Sequence, residues 1–235
     1  MGAVPACRRG SNKPAAPSTI SNNESDAEIA KREAQALLDQ GKDLYKNNDD
    51  KEAADVFEKA IRLNPDLADA HFWLGLTYNA LERKPEADEA LKKAIELYKK
   101  VVQADPRDAD AYFNLGEAYS ERHLDEEAAR AFKQVVHLRP DDEEAYYQLG
   151  KALTRLAQYT EAAAAFQKAL EIDPDDYRVT EALDTAREGV QRIREGKKHA
   201  EDELKKQQAN ANANGNANGN SNTRSNPKRG PAKPW

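Results

Sequence analysis

The sequence predicts an all-α fold, a solenoid of four helical hairpins closed by one further helix. Two observations support this prediction. First, six positions in and after the segment 111–119 (AYFNLGEAY) recur 34 residues later, so that Gly116 and Phe132 are matched by Gly150 and Phe166. Second, each unit ends with a proline, which stops its second helix because the residue before proline is pushed out of the αR region. These four prolines are Pro65, Pro106, Pro140 and Pro174.

The repeat divides the chain into four units of two helices each. A period of this length is typical of stacked helical hairpins. In each unit glycine and alanine mark close helix crossings, and larger apolar residues fill the space beside them. The predicted units are 34–67, 68–108, 109–142 and 143–176.

Unit two is seven residues longer than the others, because Gly75 and Gly116 are 41 positions apart instead of 34. Seven residues make nearly two helical turns, so the helix keeps the same face and gains ~10 Å. We therefore expect one long helix that starts near Pro85. Its front half should pack on its own partner, around 70–81, and its back half on the first helix of unit three.

Both ends of the array carry capping signals. Ser25 and Glu28 form a capping box, which predicts that the first helix starts near Asp26. After unit four, residues 177–195 place an apolar stripe on one helical face and predict a capping helix, with a charged extension to residue 208. A coiled coil is the alternative, but about two heptads fall short of the length that indicates one. The stripe consists of Val179, Leu183, Ala186, Val190 and Ile193.

The terminal segments are predicted to be disordered tethers. Residues 1–24 and 209–235 are poor in bulky apolar side chains and rich in Asn, Gly, Ser and Pro. They are also basic. Residues 1–23 carry three positive charges and residues 209–235 carry four. Since the net charge of the whole chain is −6, residues 24–208, the body of the protein, have a net charge of −13. An acidic body argues against nucleic-acid binding by the folded part. The last nine residues, PKRGPAKPW, could either aid solubility or dock on a partner.

Catalytic, metal-binding and cofactor-binding patterns are absent from the sequence. The four histidines are scattered without ligand spacing, and the single cysteine rules out a cysteine-based zinc cluster. The glycines of the units lie inside helices instead of in a phosphate-binding loop. His71 stands in an aromatic column of the repeat, where a packing role is favoured. The sequence therefore predicts a protein that is not an enzyme.

The repeated pattern YFNLG…A…F…P, seen again as YYQLG…A…F…P, resembles the tetratricopeptide repeat family. The resemblance covers about 34–176, although units one and two depart from the pattern at their aromatic columns. It implies a right-handed superhelix whose first helices line a concave groove that binds a protein or peptide segment. In the family, certain aligned positions of each first helix, here called groove columns, face this groove. The residues at these positions are Leu38, Lys42, Phe72, Trp73, Leu76, Phe113, Asn114, Tyr147, Gln148 and Lys151.

The expected groove is apolar and aromatic around Phe72, Trp73 and Leu76, a composition suited to interface anchors. The alternative is that these aromatic residues pack the scaffold, above all in the column of Phe113 and Tyr147. Some family members hold a chaperone's terminal carboxylate with a clamp of cationic and amide side chains. The matching positions here do not supply the cations, so an apolar extended or helical segment is the expected partner. Those positions are Leu38, Lys42, Trp73, Asp110 and Asn114 in units one to three, and Phe72, Leu76, Asn114, Glu144 and Gln148 in units two to four.

A second hypothesis starts from VPAC at residues 4–7. A lone cysteine after small residues, followed by a polar tether, resembles the end of a bacterial lipoprotein signal, although Pro5 fits poorly and the apolar segment is missing. With an upstream start, Cys7 would carry lipid and the array would act in cell-envelope assembly. No run approaches the ~18 apolar residues of a membrane span. The localisation is therefore left open between a cytoplasmic protein, as the sequence is written, and a lipoprotein anchored to the cell envelope. An in-frame stop codon directly upstream of Met1 would remove the lipoprotein hypothesis.

Overall fold

The structure, a computed structural model, describes residues 25–219, with side chains described to residue 211. All regular secondary structure in this part of the chain is helical. The helices are α1 (Asp26–Lys46), α2 (Asp50–Leu63), α3 (Ala68–Ala80), α4 (Lys84–Ala104), α5 (Ala109–Glu121), α6 (Asp125–Leu138), α7 (Glu143–Arg155), α8 (Tyr159–Ile172) and α9 (Tyr177–Gly219).

The helices form an α-solenoid, in which each helix packs mainly on the ones before and after it in the chain. The pairs α1/α2, α3/α4, α5/α6 and α7/α8 are the hairpins, and their first helices also touch across neighbouring hairpins, as α1 and α5 do with α3. A layered array of this kind buries its core between adjacent hairpins instead of around one centre. The described residues form two hydrophobic clusters, which meet in unit two.

Within each hairpin a glycine of the first helix lies against a large side chain of the second. A Cβ atom added to Gly116 would lie 2.7 Å from Cε1 of Phe132, closer than packed carbon atoms come. In unit two Leu91 takes the place of this phenylalanine, and a Cβ on Gly75 would lie 2.7 Å from its Cγ. The absence of a side chain at these glycines lets the paired helices approach.

The long helix of unit two is continuous, as predicted, and Pro85 lies in its first turn, where a missing N–H costs nothing. The expected division of its packing is wrong. Tyr98 in the back half still contacts the start of α3 by a hydrogen bond to Asp69, and Asp88 in the front half pairs with Arg122 at the end of α5. Lys99 of the back half also lies over the Tyr119 ring of α5, so each half of α4 touches both neighbours.

The turn between the helices of each hairpin contains a residue with positive φ. These residues are Asn48, Glu82, His123 and Ala157, with φ of 63°, 59°, 56° and 56°. None is glycine, although this region of φ favours glycine. In three of the four turns the residue in the left-handed conformation is therefore neither glycine nor asparagine.

The two ends of the array differ in how they are closed. At the start, the backbone N–H of Glu28 donates to Oγ of Ser25 and the N–H of Ser25 donates to Oε2 of Glu28, which completes the predicted capping box. At the other end, Val179, Leu183 and Ala186 are buried, and α9 packs along α8.

Beyond its packed part, α9 projects into solvent. Ile193 is 43% exposed, so the predicted stripe is buried only in its first part. The helix continues to Gly219, past the end of the charged extension predicted at residue 208. A helix that is already nucleated gains one hydrogen bond per added residue, and alanine recurs through this segment. Residues 1–24 and 220–235, which include Cys7 and PKRGPAKPW, lie outside the described residues. None of the described helices combines the length and apolar character needed to cross a membrane.

Candidate functional site

The first helices of units two to four, together with the start of α4, enclose an open concave cleft of about 800 Å³. Five of the ten predicted groove residues line this cleft: Phe72, Trp73, Leu76, Gln148 and Lys151. Further charged and polar residues complete its walls, namely Asn79, Lys84, Asp88, Glu117, Ser120, Glu121, Arg122, His123 and Arg155, beside Leu91. The cleft therefore combines an apolar side on α3 with a charged side on α5 and α7.

Trp73 is half-buried and serves the scaffold as well as the cleft. Its ring meets Tyr45 edge-on at 5.5 Å and Phe72 at 6.0 Å between centroids. The Nζ atom of Lys42 lies 5.7 Å from the centre of the Trp73 ring. These contacts join α1 to α3, so Trp73 holds unit one against unit two while part of it faces the cleft.

Leu38 and Phe72 contribute less surface than the sequence analysis expected. Leu38 is fully buried, because its side chain lies in the cluster between unit one and α3, and its assignment to the groove is corrected. Phe72 is 6% exposed and belongs mainly to the core. Lys42 is partly buried by its contact with Trp73 and lies 3.9 Å from a carboxylate oxygen of Asp69. The accessible apolar surface of the cleft is thus carried by Trp73 and Leu76.

Phe113 and Tyr147 pack the scaffold, which is the alternative that the sequence analysis raised for their column. The Phe113 ring lies 5.6 Å from that of Phe132, and the Tyr147 ring 6.0 Å from that of Phe166. Neither residue lines the central cleft. Tyr147 lines a smaller adjoining pocket of about 340 Å³, where α9 contributes Arg178 at 5.0 Å from the Tyr147 ring centre.

Three of the predicted groove residues, Gln148, Lys151 and Asn114, have polar side chains that differ in their contacts. The Nε2 group of Gln148 donates to Oε1 of Glu144 at 2.8 Å, one turn earlier on α7. Lys151 lies with Nζ 5.2 Å from the centre of the Tyr147 ring. Asn114 is half-buried and does not line the cleft.

Several residues that line the cleft are not among the groove positions that the family resemblance predicts. Asp88 accepts a 2.7 Å hydrogen bond from Nε of Arg122, and Arg155 pairs with Asp125 on α6. Asp88 lies on a second helix, whereas the family resemblance directs attention to first helices. The sequence carries no direct signal for its proximity to Arg122.

Glu117 is the most perturbed carboxyl group of the cleft. Burial and then the nearby carboxylates of Glu144 and Glu121 raise its pKa to about 7, while Lys151 acts in the opposite direction. Glu117 is not among the ten groove residues predicted from the sequence. Its burial, which depends on how α5 sits between α4 and α7, is not visible in the sequence.

No candidate metal centre occurs among the described residues, since no three His, Cys, Asp or Glu side chains there are grouped as ligands. His71 is half-buried. Its Nε2 atom lies 3.0 Å from the carbonyl oxygen of Pro65, and burial lowers its pKa.

Solved structures with a similar fold include a crystal structure of MamA protein, with 25% identity over 77% of this chain and 95% of MamA and a TM-score of 0.50. A structure of Pseudomonas aeruginosa pilF has 22% identity over 68% of this chain and 75% of its own, with a TM-score of 0.53, and this likeness shows the fold alone. A comparison with curated proteins finds no match.

Four family profiles match the array itself. One is described as TPR repeat and covers 41–81, and three described as tetratricopeptide repeat cover 68–101, 87–149 and 143–176. The matches run without a gap from residue 41 to residue 176 and include the hairpins that form the cleft. The chain belongs to the tetratricopeptide repeat family.

Proposed function

We propose that this protein is a non-enzymatic scaffold that binds a segment of another protein in the cleft between α3, α5 and α7. The observation that carries the proposal is the cleft itself, about 800 Å³ in volume and lined on one side by Trp73 and Leu76. Half-buried apolar side chains in a concavity are where protein interfaces gain most of their binding energy. The family and its solved relatives support a protein-interaction scaffold in general.

The shape of the cleft favours a short stretch of chain over a small molecule. It is open and follows the array, so that an extended or helical segment can lie across several first helices. Its arginines are already paired, Arg122 with Asp88 and Arg155 with Asp125. A terminal carboxylate would therefore have to displace a bonded partner, which supports the prediction that no carboxylate clamp operates here.

The test uses a phage-displayed library of random twelve-residue peptides, selected on the purified protein. Leu76→Gln is the diagnostic variant because Leu76 lines the cleft. Trp73→Ala and Phe72→Ala are poorer choices, because Trp73 also joins α1 to α3 and Phe72 is core. Leu63→Gln is the matched control, since Leu63 is 39% exposed at the end of α2 and does not line the cleft.

We expect selected peptides to bind the wild-type protein and the Leu63→Gln variant alike, and to bind Leu76→Gln at least tenfold more weakly. Far-UV circular dichroism checks that the variants keep their helix content. Selected peptides that bind Leu76→Gln as well as wild type would move the binding surface away from this cleft and contradict the proposal.

A further inference from the structure

Glu117 lies on the floor of the cleft without a partner. It is half-buried, it lines the same cavity as Trp73 and Leu76, and it makes no hydrogen bond or ion pair with any described residue. A buried carboxylate without a partner loses the hydration that stabilises its charge. The cleft therefore contains an acceptor that the folded chain leaves unused.

The cations that line the cleft do not supply the missing partner. Arg122 and Arg155 are bound to aspartates, and Lys151 is held over the Tyr147 ring. Lys84 and His123 are exposed. The cationic groups near Glu117 are thus engaged elsewhere or turned towards solvent.

The charged and titratable groups that face Glu117 come from three helices. Glu121 lies one turn later on α5, Glu144 and Lys151 face it from α7, and the ring of Tyr98 lies near it on α4. Two carboxylates at i and i+4 repel each other, which weakens a helix unless a cation is placed between them. Glu144 and Glu121 together raise the pKa of Glu117 more than Lys151 lowers it, and Glu144 itself is paired with Arg178 at 3.2 Å. Glu117 thus remains an acceptor in the cleft wall without an ion-pair partner in the part of the chain that the structure describes.

We propose that the cleft binds a partner segment in which a lysine or arginine side chain lies next to a bulky apolar one. Glu117 accepts the cationic group, and Leu76 with the accessible part of Trp73 contacts the apolar side chain. This inference rests on the proposed function, because it assigns a chemistry to the segment that the cleft would bind. The inference is based on charge complementarity. The Glu117 carboxylate, which has no partner among the described residues, lies beside the apolar surface of Leu76 and Trp73. A long basic side chain can pair with the carboxylate while its aliphatic stem covers that surface.

The experiment selects the same random-peptide phage library on wild type, on Glu117→Gln and on a matched control, Glu126→Gln. Glu126 is exposed at the start of α6, outside the cleft, so this control removes an equal charge from the same unit. Only peptides whose binding depends on Leu76 are analysed. We expect wild type and Glu126→Gln to enrich Lys or Arg next to Leu or an aromatic residue, and we expect Glu117→Gln to lose this preference.

Calorimetric titration then compares the most enriched peptide with its Lys→Met or Arg→Met counterpart. We expect the counterpart to bind wild type at least tenfold more weakly and to bind Glu117→Gln about equally well. We also expect the basic peptide to bind wild type about tenfold more tightly at pH 8 than at pH 6, because Glu117 must be ionised to accept the cation. This pH dependence should disappear in Glu117→Gln.

The outcomes separate the two proposals. If no peptide depends on Leu76, the proposed function fails. If peptides depend on Leu76 but carry no basic residue, or keep the same basic preference on Glu117→Gln, the cleft binds segments and the inference about their chemistry is overturned.

Discussion

The hydroxyl group of Tyr98 donates a 2.6 Å hydrogen bond to Oδ1 of Asp69, and so ties the back half of α4 to the first turn of α3. The other carboxylate oxygen of Asp69 lies 3.9 Å from Nζ of Lys42 on α1. Tyr98 is 3% exposed, and it occupies the position one heptad after Leu91, which contacts Gly75. One carboxylate therefore connects three helices at the place where the array departs from its regular period.

Replacing Tyr98 by phenylalanine should lower the free energy of unfolding by about 1–2 kcal/mol, because a hydrogen bond to a charged acceptor is lost. Burial and the neighbouring Asp69 raise the pKa of Tyr98, so the hydroxyl remains a donor at every pH at which the protein is normally studied. Urea denaturation measures the change. Tyr112→Phe is the control, since Tyr112 is half-buried without such a bond, and a change below about 0.5 kcal/mol is expected there. Equal losses in both variants would show that the bond to Asp69 contributes nothing.

Two glycine substitutions should act in opposite directions. Gly116→Ala should destabilise the array by about 1–3 kcal/mol, because the new Cβ would lie 2.7 Å from the Phe132 ring. Gly196→Ala should stabilise α9 by about 0.5–1 kcal/mol, since nothing lies within 4 Å of that Cβ position and alanine favours a helix. The measurement is urea unfolding for Gly116→Ala and helix content by circular dichroism for Gly196→Ala. A stable Gly116→Ala protein would mean that the two helices can separate without loss.

Glu117→Gln should change stability in a pH-dependent way. The folded pKa of about 7 lies above the ordinary carboxyl value of 4.5, so folding favours the protonated form. This contribution is complete below pH 4.5 and is lost as the pH rises through 7. Glutamine resembles the protonated acid, and the variant should therefore match wild type near pH 4 and exceed it by roughly 3 kcal/mol at pH 8. Urea midpoints between pH 4 and pH 8 test this, and a constant difference would contradict it. A gain in stability at pH 8 also ensures that weaker peptide binding by this variant does not arise from unfolding.

Ala157→Gly should stabilise the fourth hairpin by about 0.5–1 kcal/mol, because Ala157 has a φ of 56° that costs an L-residue energy and glycine none. Asn48→Gly is the comparison, since asparagine tolerates the left-handed region and little change is expected. Thermal unfolding of the two variants beside wild type provides the measurement. A loss of stability in Ala157→Gly would show that the greater chain entropy of glycine outweighs the relief of strain.

The regular features of this fold could be predicted because they repeat. The glycine at each helix crossing, the proline after each unit and the length of α4 follow from counting positions, and the structure shows the corresponding contacts. The cleft was predicted less well. Leu38 occupies a groove column yet is fully buried, because it lies in the hydrophobic cluster between the first hairpin and α3. Glu117 and the pair of Asp88 with Arg122 depend on contacts between units, which positions counted along one repeat do not reveal.

Because two hydrophobic clusters meet in unit two, the two parts of the array should unfold separately when the molecule is pulled. Ala87 and Ala90 belong to the cluster that joins unit one to unit two, whereas Leu91 and Tyr98 belong to the cluster that continues to α9. The boundary thus falls between two adjacent residues of one unbroken helix. A linear array of repeats unfolds by separation of neighbouring repeats. Here the continuous helix α4 crosses the boundary between the two clusters and resists separation at that point. A pulling force applied at the two ends should peel off the first hairpin as one event and leave the remainder, including most of the cleft, folded.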